Sequence, residues 1–244
     1  VMQHTLGFAT RRGKYYDVND ILKSGSPLNE DGLAKFEKLD TVYRTLCAVM
    51  FNFVPTSGHP GGSISSGRFV SSILYNNLDF DIAKPFSDVN DLVVYAAGHK
   101  ALGLYAMWAL RNEVVRAFRR ELLPDENLQL RFEDLLGFRR NPTNTLPLFT
   151  KFKTKALDGH PTPATPHVKV ATGASGVGVP AAFGVALGAL DYFGENAPKV
   201  HVVEGEGGMT PGRVAEAFAA ASAMRLYNVN LHIDFNQASI DSNR

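Results

Sequence analysis

From residue 36 to residue 51 apolar side chains recur at helical spacing. Phe36, Leu39, Val42, Tyr43, Leu46, Met50 and Phe51 fall on one side, and Pro55 closes the run. This predicts a helix with one buried face. After the turn-rich "TSGHPGGSISSG" a second helix is predicted, with Phe69, Val70, Ile73 and Leu74 together. "DLVVYAAGH" has a different rhythm. Its short unbroken apolar run predicts a buried strand ending in small residues, and a helix through "KALGLYAMWALR" follows. Residues 116–165 are charged and then Pro-rich, which predicts a helix plus a long irregular loop of the kind that often carries function. "VKVATGASGVGVPAAFGVALGALDYF" reads as a Gly-rich turn into an apolar helix beginning near Pro180. "KVHVVEG" and "VNLHIDF" predict two more strands, separated by a helix over 211–226. That helix is expected to start at Pro211 with Thr210 as its N-cap, since proline suits the first helical position.

Strands alternating with long helices imply an α/β fold: a parallel sheet with helices on both faces. Residues 1–35, mixed and turn-rich, are expected to form an arm or linker, and 36–244 a single ligand-binding domain. In parallel sheets, ligands sit beyond the carboxyl ends of the strands. Gly98 and His99, Gly205 and Glu206, and Asn236 all fall at such ends.

Composition narrows the function. The net charge is +1, with 25 basic and 24 acidic residues, which makes no electrostatic case for nucleic acid. No apolar run nears the roughly 20 residues that span a bilayer. The single cysteine, Cys47, precludes an internal disulfide and suits a reducing compartment. No signal-peptide pattern opens the chain, and a cytoplasmic location is expected. The chain begins at Val1 rather than Met, so its first residue is not expected to be the translation start.

The candidate chemistry lies in a few short motifs. Glu206 sits between Gly205 and Gly207, and Asn236 follows 30 residues later. Alone, each suits a turn, with a solvated acid in one and a capping amide in the other. Together at two strand ends they favour a hard cation. Mg2+ takes oxygens only and is usually held by one or two protein ligands plus phosphates and water. Glu206, Asn236 and a backbone carbonyl near Ala238 would supply three oxygens. Three Gly-His pairs also stand in turns: His59 in "SGHPGG", His99 in "AAGHK" and His160 in "DGHPTP". One such pair is noise, whereas three suggest imidazoles lining a cleft. A helix start disfavours imidazolium, so a neutral His99 is expected. His4, His167, His201 and His232 lack such settings and read as structural or surface residues. "TGASGVG" (172–178) could face an anion, although it is neither GxGxxG nor a Walker A sequence.

Taken in order, "SGHPGG", "GHKALGLY", "GHPTP", "TGASGVG" and "GEG…N" resemble the N-terminal, diphosphate-binding domain of the transketolase family of thiamine diphosphate enzymes, over about residues 36–241. The resemblance implies a thiamine diphosphate-binding fold. It also implies Mg2+ (or Ca2+ or Mn2+ in its place) on Glu206, Asn236 and the Ala238 carbonyl. Gly173 and Gly176 would line the cofactor, Gly207 would lie near its diphosphate, and His59, His99 and His160 would face thiazolium and sugar. The implied reaction moves a two-carbon ketol unit from a ketose phosphate to an aldose phosphate. The alternatives are a pyruvate dehydrogenase E1-like or deoxyxylulose phosphate synthase-like enzyme, or a non-catalytic relative acting as an interaction domain. Three departures stand out. Glu206 replaces the family's Asp. Pro211 replaces a Glu of an acidic interface network, while Glu216 matches a second acid there. The family's pyrimidine-binding domain, with its activating Glu, is absent from this sequence. The family's first domain is also expected to run past Arg244. The isolated chain is therefore expected to be inactive, with a pyrimidine-binding domain supplied by another chain or segment of a homodimer or heterotetramer.

Overall fold

The computed structural model describes residues 19, 29–53, 59–139, 147–165 and 168–238. Most of the expected arm lies outside them, as do Ser57, Gly58, His4 and His167. Helix α1 (Glu30–Phe53) begins at Glu30 rather than near Phe36. The side chain of Asn29 explains the earlier start: its Oδ1 accepts from the Gly32 N–H at 2.8 Å, a cap on an exposed helix end, and Glu30 and Asp31 complement the first turn. The buried line is Asp40, Tyr43, Cys47 and Met50, in steps of three and four. Val42, expected on that face, is instead 45% exposed, because the line that turns inward passes through Tyr43.

The second expected helix is divided. Helix α2 (Pro60–Ser65) and helix α3 (Gly67–Ser72) follow one another, and a π-helical turn carries the chain on to Asn77. Strand β1 (Leu92–Tyr95) leads through a 3-10 turn, Gly98–Lys100, into helix α4 (Ala101–Phe118). Helix α4 is buried on every side from Ala101 to Leu110. Such a helix belongs in a core rather than on a surface.

The segment after α4 is irregular but pinned. Its described residues hold three 3-10 turns and helix α5 (Pro147–Phe152). Buried Asp134 accepts from the Arg131 N–H at 2.9 Å, the Lys155 N–H at 3.0 Å and Lys155 Nζ at 3.1 Å. Burial raises this carboxyl's pKa, but these donors and the Arg131 side chain outweigh it and hold the group below its ordinary value. An isolated bridge between Phe138 and Leu157 ties down the stretch that leads to His160.

Helix α6 (Gly178–Phe193) enters strand β2 (Val200–Gly205). Helix α7 (Gly212–Met224) then crosses to strand β3 (Val229–Asp234). The three strands pair in parallel in the order β1-β2-β3, with Tyr95 opposite Val203 and Gly205 opposite Asp234. Alternate residues of β2 face opposite layers. Val200 and Val202 pack with Val179, Phe183 and Val214 of α6 and α7, while Val203 joins the core of α1 and α4 around Tyr43, Leu104 and Trp108. The sheet thus has helices on both faces, and the carboxyl ends of its strands share one edge.

Helix α7 corrects one expectation. It starts at Gly212, and Pro211 is its N-cap, with extended ψ of 136° and no side-chain cap bond. Thr210 is not the cap because its hydroxyl donates to the Gly207 carbonyl at 2.9 Å, closing the 3-10 turn Glu206–Met209.

Candidate active site

Four turns meet beyond the strand ends. The first follows β1. Gly98 lies so close to Gly173 that a Cβ there would strike the Gly173 Cα, and a Cβ on Gly173 would lie 2.6 Å from the His160 ring. The turns carrying His99, His160 and "TGASGVG" are therefore in contact. Thr172 fastens the last of them to the sheet, donating to the Tyr95 carbonyl at 2.6 Å. Gly176, at φ +76°, lies against the Pro211 ring and joins this loop to the start of α7.

His59 and His99 stand edge to face with ring centroids 5.4 Å apart. His99 is half-buried, while His59 and His160 are exposed. Burial, helped by the positive charge of Lys100 and by His59 and His160, holds His99 down at about 4. Its imidazole is neutral at neutral pH, free to accept a proton on one nitrogen and donate from the other.

Glu206 and Asn236 come together as the neighbouring ends of β2 and β3 require. Glu206 Oε2 lies 3.4 Å from the Asn236 backbone N, and Oε1 accepts from the Ala238 N–H at 3.2 Å. Asn236 Oδ1 accepts from that same N–H at 3.0 Å. A carboxylate oxygen and an amide oxygen thus converge on one hydrogen. Gln237, in the left-handed region at φ 57°, gives the loop the turn that brings Ala238 back. The space beside Gly207 is open. This all-oxygen donor set suits a hard cation. Among the described residues no group of three or more His, Cys, Asp or Glu could hold a metal, so an ion here would need oxygens from its ligand.

Behind this pair lies a part that motif reading missed. Lys100 is buried, and its Nζ lies 2.5 Å from Asp234 Oδ2. The same Oδ2 accepts from Ser65 Oγ at 2.6 Å and from Asn236 Nδ2 at 2.9 Å. Nearby Glu204 is also buried, its pKa raised by that burial; Oε1 accepts from the Gly205 N–H at 2.9 Å and Oε2 has no hydrogen-bond partner. The sequence carried one signal for this cluster: a lysine and two acids embedded in otherwise apolar or small-residue strand ends.

A parallel α/β domain with glycine-rich turns, imidazoles and an acid–amide pair at its strand ends belongs to the class of ligand-binding α/β domains. Comparison with known proteins narrows this class. The chain is 29% identical over 181 residues to human transketolase, covering 74% of this chain and 24% of that enzyme. It is 25% identical over 207 residues to one of the subunits of apulose-4-phosphate transketolase from Actinobacillus succinogenes, covering 84% of this chain and 64% of that relative. Its fold matches the crystal structure of transketolase from Campylobacter jejuni with a TM-score of 0.67 at 27% identity, over 85% of this chain and 29% of that one. No family model matches the chain. In sequence and fold it is similar to the transketolase family, and it spans about a quarter of the length of human transketolase.

Proposed function

We propose that this chain supplies the diphosphate and metal half of a thiamine diphosphate site in a transketolase-like transferase. The enzyme would move a two-carbon ketol unit from a ketose phosphate to an aldose phosphate. The observation that carries the reading is the convergence of the Glu206 and Asn236 oxygens on the Ala238 N–H, just past the paired ends of β2 and β3. Glu206, Asn236 Oδ1 and the Ala238 carbonyl would hold Mg2+, with Ca2+ or Mn2+ as substitutes. Gly173 and Gly176 would line the cofactor, and Gly207 would lie near its diphosphate.

Thiamine diphosphate supplies, when bound, the carbanion chemistry that no side chain provides. The residues of this chain would do the rest. Neutral His99 can take up or release a proton beside the substrate, its free base kept available by its low pKa. His59 and His160, at exposed positions, would bind sugar hydroxyls and exchange protons with water. The extra methylene of Glu206, relative to an aspartate, lets the carboxylate reach the 236–238 loop. The pyrimidine side of the site would come from a second domain on another chain or segment. A homodimer or heterotetramer would bring the two together, and the chain on its own would not turn over sugar phosphates.

Calorimetric titration of the full chain with Mg2+ and thiamine diphosphate tests this. Saturable, Mg2+-dependent binding, weakened at least about tenfold in Glu206→Ala and in Asn236→Ala, is expected, a loss in line with removal of a metal-site group. Binding unchanged by both substitutions, or none at all, would overturn the reading.

A further inference from the structure

Resting on the cation reading of Glu206 and Asn236, we propose that the buried Lys100–Asp234 pair is a positioning device. It fixes which end of the Asn236 amide faces the ion. An asparagine amide has an oxygen and a nitrogen of nearly the same size, and only the oxygen can ligate a cation. Something must therefore prevent the side chain from presenting its NH2 group instead. Asp234 does so. Its carboxylate can only accept hydrogen bonds, so it takes Asn236 Nδ2 at 2.9 Å. Oδ1 is left on the opposite side, where it meets the Ala238 N–H at 3.0 Å, alongside Glu206.

Lys100 allows that carboxylate to stay charged in the interior. Its side chain is 1% exposed and that of Asp234 is 8% exposed, and their separation is 2.5 Å. A buried carboxylate without such a partner would be strongly disfavoured. The lysine comes from the turn after β1 and passes α2 at Gly62, where a Cβ would lie 2.9 Å from the Lys100 Cε. Its ammonium ends beside Gly205, the last residue of β2. Ser65 of α2 adds a third donor to the same carboxylate oxygen at 2.6 Å. Asp234 Oδ2 thus accepts from three side chains at once, and its geometry is overdetermined. The pair is self-neutralising, so it steers the amide without adding net charge to the ion site. Neither residue is a metal ligand in this account; both act through Asn236.

The test uses the full chain, with Mn2+ and inorganic diphosphate as probes, since these engage only the half-site this chain offers. Bound Mn2+ is counted by electron paramagnetic resonance. The variants are Asp234→Asn and the double change Lys100→Met with Asp234→Asn, which removes both buried charges together. Asp234→Asn alone is expected to weaken Mn2+ binding about 10- to 100-fold, as loss of an outer partner of a metal ligand does. The double variant is expected to regain most of the midpoint of thermal unfolding while Mn2+ binding stays about tenfold or more weakened. A purely structural pair would recover both together. Wild-type affinity in the double variant, or in Asp234→Asn, would overturn the proposal while leaving the cation site intact. Absence of Mn2+ binding by the wild-type chain would overturn the cation reading itself, and this inference with it.

Discussion

At the scale of single residues, His99 shows how position sets chemistry. An ordinary histidine titrates near 6.5, but here burial and the ammonium of Lys100 hold it at about 4. A heteronuclear NMR titration should therefore find the His99 ring neutral at pH 6 and half-protonated near pH 4. In Lys100→Met the midpoint should rise, because a repelling positive charge has gone. A wild-type midpoint at or above 6 would contradict this. Glu206 and Asn236 were legible in the sequence because each follows an apolar stretch that reads as a strand, and parallel strands place such ends together. Lys100 and Asp234 were not. They are 134 residues apart, and a lysine in a turn reads as solvated unless the three-dimensional path of its stem is known.

At the scale of elements, local grammar found the strands and missed some boundaries. β1, β2 and β3 fall where short apolar runs end in small or polar residues. The start of α7 was misplaced because competing hydrogen bonds decide it: Thr210 spends its hydroxyl on Gly207, and Pro211 takes an extended ψ. The start of α1 was misplaced because the Asn29 cap lies ahead of the apolar pattern. Residues 116–165 were read as a helix plus a long irregular loop, but sequence could not show the buried Asp134 that anchors them. Gly176 makes the packing of these turns testable. It sits at φ +76°, and an added Cβ would lie 2.5 Å from the Pro211 Cγ. Gly176→Ala carries a left-handed penalty of about 1–2 kcal/mol. Overpacking against the proline ring adds about 1–3 kcal/mol. Urea unfolding should show a loss of about 2–5 kcal/mol. A loss below about 0.5 kcal/mol, the range of ordinary surface changes, would mean that the loop and α7 are not packed as described.

At the scale of the whole molecule, two half-buried histidines make stability depend on pH. His232, on β3, is held at about 4, mainly by burial and secondarily by His201, whose Nδ1 lies 3.3 Å from its Nε2. His99 is held equally low. A base whose folded pKa is depressed binds its proton more readily unfolded. Stability is therefore greatest above about 6.5, the ordinary histidine value, and declines as pH falls toward 4. Asp91, Asp134 and Asp234 have lowered folded pKa values, their hydrogen bonds and charged neighbours outweighing burial. Their stabilisation is present above the ordinary carboxylate range and is lost as pH falls below it. In a Glu204→Gln background, which removes the opposing contribution of that raised carboxyl, urea midpoints should thus drop between pH 7 and pH 4.5, before the three lowered carboxylates contribute, and keep dropping below pH 4. A midpoint flat from pH 7 to 4.5 would show that these histidines titrate normally.

Strands β2 and β3 are proposed to end in one divalent-cation site. Crystals of the full chain grown with Mn2+ and thiamine diphosphate test it most directly, through the anomalous signal of the metal. One strong peak is expected, bonded to the Glu206 carboxylate and to Asn236 Oδ1, at oxygen distances of about 2.1 Å as for Mg2+. A metal peak bound elsewhere while these two side chains stay on the Ala238 N–H would contradict it.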